Sequence, residues 1–283
     1  MPASLPFHPA SRHSDATLAA LFTAGYAGYY TPITLDAVGF RGMVTTGDID
    51  LESSRVGALA DEPVAFALLG VRGTRGWIGG MGVAATARGR GYGRAAMEAV
   101  IEAARGRGVK DVDLEVLEQN EPASRIYEAL GFRDRRRLDV LVREPAPPAA
   151  GPAPDTAIEP LSVRECLNLY AALHSERGPW QRDLPSLEHW APRLEGAGVR
   201  DALGIACWVL YRRDGKRLNI ADLALARGRH RGLLEATLRV LIGAQPDSTL
   251  TLINIPADDP CGEILRHLGA TAKFRQREMT LKL

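Results

Sequence analysis

Between an apolar run, Trp77–Ala84, and a segment of helical spacing, Tyr92–Arg107, the chain reads Arg88-Gly89-Arg90-Gly91-Tyr92-Gly93. Three glycines at alternate positions let a backbone bend sharply and come close to a ligand, because no Cβ stands in the way. The N–H groups opening the following helix, with the positive end of its dipole, favour an anion, and a pyrophosphate suits a turn of this kind. Two other phosphate-binding patterns are excluded. There is no Gly-Lys-Ser/Thr, and a G-x-G-x-x-G reading begun at Gly89 or Gly91 would need glycine at Arg94 or Ala96. Taken alone, the loop also reads as an ordinary strand–helix turn.

The ionisable residues that could do chemistry next to this loop follow it. Asp111–Leu117 alternates as a strand, with Val112, Leu114 and Val116 on one face and Asp111, Asp113 and Glu115 on the other. Glu115 reads either as a solvent-facing strand residue or as a carboxylate that takes a proton, with Asp113 in reserve on the same face. Pro122–Leu130 is expected to be a helix, ended by Gly131 and carrying Tyr127. Earlier, Gly25-Tyr26-Ala27-Gly28-Tyr29-Tyr30-Thr31-Pro32 reads either as a connection between helices or as an aromatic wall of an acceptor pocket.

Two motifs resemble the GCN5-related N-acetyltransferase (GNAT) family. Its acyl-CoA loop, Arg/Gln-x-x-Gly-x-Gly/Ala, is met by Arg88, Gly91 and Gly93. A second pattern, Asn-x-x-Ala-x-x-x-Tyr-x-x-x-Gly-Phe, is met by Asn120, Ala123, Tyr127, Gly131 and Phe132. The clear match runs over about Arg55–Arg143. The resemblance implies acetyl-CoA as co-substrate, lying between splayed parallel strands Trp77–Ala84 and Asp111–Leu117. Main-chain groups of Met81, Gly82 and Val83 would hold the pantetheine arm, and the amides of Arg88, Gly89, Arg90, Gly91, Tyr92 and Gly93 the pyrophosphate. Asn120 would bond the cofactor arm, Tyr127 would protonate the departing thiolate, and Glu115 would act as base. No metal is implied.

Elementary chemistry agrees with these roles. An amine attacks a thioester only when neutral, so a carboxylate must take its proton, directly or through water. Backbone amides near the thioester carbonyl can stabilise the oxyanion. A thiol of pKa about 8.5 leaves more readily beside a phenol donor. The expected activity is acetyl transfer to a primary amine of a small molecule or peptide, by direct attack in a ternary complex. The rival is an acyl-CoA-binding regulatory module without turnover; the presence of both Glu115 and Tyr127 favours the enzyme.

These residues need a scaffold. An antiparallel meander, Ser54–Leu59, Val64–Val71 and Trp77–Ala84, precedes the glycine loop, and Ser14 is the expected cap of an N-terminal helix. Pro145–Asp155 is rich in proline and alanine and reads as a stiff linker. Beyond it the order of elements returns. Asn120-Glu121-Pro122 matches Asp258-Asp259-Pro260, and Leu130-Gly131 matches Leu268-Gly269, at a shared offset of 138 residues (120 to 258, 130 to 268). Tyr127 then falls on Leu265 and Glu115 on Ile253, as in a copy that keeps the fold and loses the chemistry. The basic run Arg227–Gly232 does not keep the loop spacing, and Arg135-Arg136-Arg137 reads as a solvated charge run.

The expected fold is therefore α/β with a mixed (α+β) sheet, in two GNAT-like domains. Each is a largely antiparallel sheet with a central splayed parallel pair and flanking helices. Expected bounds are 1–144 for the catalytic domain, 145–155 for the linker and 156–283 for the degenerate copy. A net charge of +1 demands neither nucleic acid nor an anionic membrane. Three scattered cysteines suggest neither disulfides nor zinc. With no long apolar run and no secretion signal, the expectation is a cytoplasmic protein, monomer or homodimer, acting on an amine acceptor.

Overall fold

A computed structural model describes residues 5–31, 33–146, 157–174 and 176–283. It divides into two compact units, Met1–Arg135 with Glu278–Leu283, and Arg136–Arg277. The expected division at 144 and 156 differs from this. The strand after the Tyr127 helix passes to the second unit, and six residues far along the chain join the first. Most of the expected linker lies outside the described residues.

In the first unit, strands β1 (Phe7–Pro9), β2 (Arg55–Leu59), β3 (Glu62–Arg72) and β4 (Arg75–Val83) form an antiparallel series. Strand β5 (Asp111–Leu117) pairs parallel to β4, and the end of β12 (Thr271–Lys282) lies on the far side of β5. Helices α1 (Asp15–Gly25), α2 (Ala37–Thr46), α3 (Tyr92–Gly106) and α4 (Glu121–Ala129) cover the faces. Ser14 caps α1, accepting from Thr17 N at 3.2 Å, as expected. Asp36 caps α2, accepting from Gly39 N at 2.7 Å.

Two-sided burial explains the seven consecutive buried residues of β3. Ala67 and Leu69 face the α3 side, with Ala96, Met97 and Val100 from the helix and Val112, Leu114 and Val116 from β5. Phe66 faces the α1 side, its ring 5.3 Å from that of Phe22. A β-bulge falls in β4 at Gly79, between the pairs Leu68–Gly80 and Leu69–Ile78. Small residues there are required: a Cβ on Gly80 would lie 2.7 Å from Phe22, and one on Gly82 would lie 3.0 Å from the Gly25 backbone.

The second unit has the strand order β6-β11-β10-β9-β8-β7, where β6 is Arg133–Arg143, β7 Glu159–Leu161, β8 Glu195–Asp201, β9 Gly204–Asp214, β10 Arg217–Leu225 and β11 Thr249–Pro256. Only β10 and β11 pair parallel among these strands. Helices α8 (Gly232–Gly243) and α9 (Pro260–His267) pack on one face of this sheet. Helices α5 (Val163–Asn168), α6 (Tyr170–Leu173) and α7 (Leu184–Trp190) pack on the other. The single helix expected over Arg164–Leu173 is broken at Leu169. Strand β8 was not expected: its Glu-Gly-Ala-Gly-Val-Arg-Asp sequence lacks a strand signature. Gly196 and Gly198 are small because the main chains of Leu161 and Cys207 pass against them.

The 138-residue repeat is present in the backbone. Gly131 and Gly269 both have positive φ, at 99° and 91°, and Phe132 N and Ala270 N both donate 3.0 Å bonds, to Tyr127 O and Leu265 O. The β4 bulge also has its counterpart, at Ala221 in β10. At the position of Gly80 the second unit carries Asp222, 1% exposed. Asp222 accepts from Trp208 Nε1 at 2.9 Å and Arg182 Nη2 at 3.2 Å, and contacts His174 Nε2 at 3.2 Å.

Burial pushes the Asp222 carboxyl up, but the charges of His174 and Arg182 and the Trp208 bond outweigh it and hold it below the usual range. Burial likewise opposes a charged His174, yet the Asp222 charge and hydrogen bond raise it above its ordinary value. The Asp222 contribution to stability is thus present above about pH 3.9 and lost as pH falls through its folded pKa. That of His174 is complete below about pH 6.5 and lost as pH rises through its folded value. Asp222→Asn strips the charge from a buried network and should cost about 3–5 kcal/mol in urea unfolding read by tryptophan fluorescence. His174→Gln should flatten the fall in stability above about pH 6.5.

Candidate functional site

The site begins where β4 and β5 part. They are in register only at Arg75–Asp111, Gly76–Val112 and Trp77–Asp113, while β4 stays paired to β3 through Val83. Among the described residues no strand pairs with the β5-facing edge of β4 beyond Trp77. Of the three residues expected to hold the pantetheine arm there, Gly82 is buried under Phe66. The Tyr26 phenol lies beside the Met81 main chain, and Val83 O accepts from Arg88 Nε at 3.0 Å.

The glycine loop follows. Gly89 and Gly91 both sit in left-handed backbone, φ 77° and 83°, a geometry that turns successive N–H groups to one side and makes an anion-binding concavity. Arg88, Gly89, Arg90 and Gly91 are exposed. Gly91 is the N-cap residue of α3 and offers no side-chain cap. The first-turn amides of Tyr92, Gly93 and Arg94 meet no acceptor among the described residues. Tyr92 itself is buried, with Leu5 and Val64. A Cβ on Gly93 would touch Met81 and Val83 at about van der Waals distance, so the open helix end lies next to the open strand edge. The Arg88 guanidinium has another job. Besides Val83 O, it donates to Gly25 O at 3.0 Å and Ala27 O at 2.8 Å, tying the end of α1 to the end of β4. Arg94 pairs with Glu98 on its own helix.

On the facing side, the Asn120 Oδ1 caps α4 by accepting from Ala123 N at 3.3 Å, and its side chain also hydrogen-bonds the Tyr29 phenol. One turn on, Ser124 Oγ is buried and has no hydrogen-bond partner among the described residues. Tyr127 follows at i+3 on the same buried face. Burial, then the neighbouring phenols Tyr26 and Tyr29, push the Tyr127 hydroxyl well above the usual tyrosine range. Tyr29 is also pushed up by burial, against the Asn120 bond.

Glu115 projects from β5 just past the last registered pair, and its Oε2 accepts from Trp77 Nε1 at 2.8 Å. The reserve carboxylate, Asp113, is 4% exposed and accepts from Thr280 Oγ1 at 2.6 Å, which ties it into the sheet.

The Gly25–Tyr30 segment forms an aromatic cluster. The ring of Tyr26 lies 4.6 Å from Phe22 and 5.1 Å from Tyr29, Tyr29 lies 5.4 Å from Tyr30, and Tyr30 Oη donates to Gln119 O at 2.8 Å. The first reading of this segment holds: it connects α1 to α2, and its tyrosines pack on one another. Trp77, Ser124 and Tyr29 were not singled out in the sequence. Trp77 opened an apolar run, Ser124 sits at a variable position of its motif, and Tyr29 gave no sign of its partner 91 residues away (29 to 120).

An anion and a polar arm fit this arrangement. Unsatisfied helix-start amides, an open strand edge and an orphaned buried hydroxyl converge on one opening, and buried polar groups are rarely left without a partner. In the second unit β10 also runs on past its last parallel pair, Ile220–Leu252, but side chains meet the loop there. Its loop amide Gly232 N donates to His230 Nδ1 at 3.1 Å, Arg229 pairs with Asp201 and Arg231 with Glu263. Ile253 and Leu265 stand at the positions of Glu115 and Tyr127. Among the described residues no group of three or more His, Cys, Asp or Glu could hold a metal ion, and no helix is long and apolar enough to cross a membrane.

Residues 29–132 match the model of the acetyltransferase (GNAT) family. No curated protein matches the sequence significantly. Solved structures share the fold over the whole chain. A GCN5-related N-acetyltransferase from Sphaerobacter thermophilus is 18% identical, with a TM-score of 0.74, over 100% of this chain and 96% of that one. A tandem GNAT protein from the clavulanic acid biosynthesis pathway is 17% identical, TM-score 0.71, over 99% and 98%. An acetyltransferase-like protein from Pyrococcus horikoshii is 15% identical, TM-score 0.67, over 100% and 91%. Residues 29–132 thus resemble the GNAT family, and the whole chain shares its fold with GNAT structures, one of them a tandem protein.

Gly91→Ala forces a Cβ into left-handed backbone, at a cost of about 1–2 kcal/mol, and turns the α3 amides. Coenzyme A affinity by calorimetry should fall about tenfold, while Arg94→Ala, whose guanidinium is held by Glu98, should leave it within about twofold.

Proposed function

We propose that the GNAT domain of this chain transfers an acetyl group from acetyl-CoA to a primary amine of a small molecule or peptide, by direct attack in a ternary complex. The observation that carries the reading is the row of uncapped α3 amides next to the β4 edge that parts from β5 after Trp77–Asp113, where Glu115 bonds the Trp77 indole.

In this reading the diphosphate lies on the amides of Arg88–Gly93, and the pantetheine arm runs along Met81–Val83 in place of a strand. Asn120 and Ser124 face the arm from α4. Main-chain N–H groups along this edge then serve the oxyanion. Glu115, its carboxylate oriented by the Trp77 indole, takes the proton from the incoming ammonium. The neutral amine forms the new C–N bond as the C–S bond breaks, the electron pair leaves on sulfur, and the amide nitrogen gives up its second proton to solvent.

Tyr127 is a donor that keeps its proton. A phenol held above its ordinary pKa of about 10 cannot give its proton outright to a thiolate whose conjugate acid has a pKa near about 8.5. It stabilises the leaving sulfur by hydrogen bonding, and solvent completes the protonation. The acetyltransferase folds of the similar structures are consistent with this chemistry.

Free-thiol release from acetyl-CoA against tyramine, glucosamine, spermidine and an alanine-initiated tripeptide tests the reading, alongside calorimetric binding of acetyl-CoA. Tyr127→Phe and Glu115→Gln should each lower turnover about 10²–10⁴-fold with acetyl-CoA affinity within about threefold. Binding with no thiol release on any amine would instead favour the acyl-CoA-binding module.

A further inference from the structure

The end of β12 gives the first unit more than a sheet edge. Met279 and Leu281 enter the α3-side core beside Leu114 and Val116. Alternation therefore puts Glu278, Thr280 and Lys282 on the opposite face, the one that carries Asp111, Asp113 and Glu115.

Three contacts set the register. Leu283 N donates to Lys110 O at 2.8 Å, Lys282 pairs with Asp111, and Thr280 Oγ1 donates to Asp113 at 2.6 Å. The strands are antiparallel, and two further residues along them Glu278 stands opposite Glu115. Side chains so opposed have Cβ atoms about 5 Å apart, and like charges there are destabilising. Glu278 is moreover 1% exposed, with Arg135 Nη1 at 3.7 Å. A sheet that sets two acidic side chains against each other under cover needs a reason to keep them.

We propose that Glu278 is a positioning residue for Glu115: its buried charge, opposite in register, raises the proton affinity of Glu115 so that this carboxylate can take an amine proton near neutral pH. The inference rests on Glu115 being the base. An ordinary exposed glutamate, with a pKa of about 4.3, holds an amine proton poorly at pH 7, and a base works best when its pKa lies near the working pH.

The remaining charges on this face are placed as follows. On β5 itself are Asp113, bonded to Thr280, and Asp111, paired with Lys282. β4 contributes the Trp77 indole and Arg75, which stands in register with Asp111. β6 contributes Arg135. The turn after α2, which reaches Trp77 through Gly47 and Ile49, carries the Asp48–Arg72 pair, and the α1–α2 connection contributes the phenols of Tyr26 and Tyr29. Arg75, Arg135 and Lys282 favour an ionised Glu115; Asp111, Asp113 and Glu278 oppose it. Of these, Glu278 is the one set opposite Glu115 by the strand register.

Trp77 supplies an acceptor-independent reporter, because its indole N–H donates to Glu115 Oε2. The full-length protein has four tryptophans, so indole ¹⁵N–¹H spectra are sparse and Trp77→Phe assigns the resonance. Its shift is followed from pH 4 to 9. In the native chain the midpoint should lie well above 4.3, and Glu115→Gln should abolish the titration. The isosteric Glu278→Gln should lower the midpoint by about one pH unit, and Arg135→Gln, which unmasks Glu278, should raise it. The acid limb of kcat/KM, measured with the most active amine of the panel above, should move with it.

An unmoved midpoint in a folded Glu278→Gln or Arg135→Gln protein overturns the inference. An acid limb that survives Glu115→Gln overturns the base assignment instead, so the two failures are separable.

Discussion

Backbone hydrogen bonding governs this site. A strand inside a sheet expects a partner on both edges, and β4 has one on its β5 side for three residues only. Past Trp77 its edge must be met by something that is not a strand. Every neighbouring feature answers that demand in part: the Tyr26 phenol at Met81, the Arg88 guanidinium at Val83, and the uncapped α3 amides that extend the same row of donors. A flexible chain of amides ending in a diphosphate has the chemistry to complete it.

The second unit shows what the same backbone does when released from that demand. It keeps the bulge, the parallel pair and the two positive-φ glycines. Where Gly80 leaves room for Phe22, it buries Asp222 among His174, Arg182 and Trp208. A ring of paired charges fixes this region and fills it, whereas the first unit keeps small residues and phenols around an opening.

Much of this was legible in the sequence because the signals were local. Strand β5 matches its expected bounds residue for residue, and α3 ends one residue short. The 138-residue repeat rested on a proline near a helix start and a glycine at its end, each of which obeys backbone rules that hold in any fold. Strand β8 was illegible because its glycines answer to the backbones of Leu161 and Cys207, distant in sequence. The same holds for the Trp77–Glu115 bond and the Tyr29–Asn120 bond, which depend on strand register and a loop path. The division at 144 followed composition, and composition cannot report that β6 and the end of β12 have changed places.

That exchange bears on how the protein is made. Ribosomal synthesis delivers Met1–Arg135 early, but the strand that covers β5 arrives only after the roughly 140 residues between Arg135 and Glu278 have followed. Until then β5 is a bare edge, open to pairing with another nascent chain, and closing so long a loop is slow. The last six residues of the first unit therefore act as a latch set at a late moment in translation. A ribosome that stalls between the units leaves behind an unfinished sheet, and one that would call on chaperones.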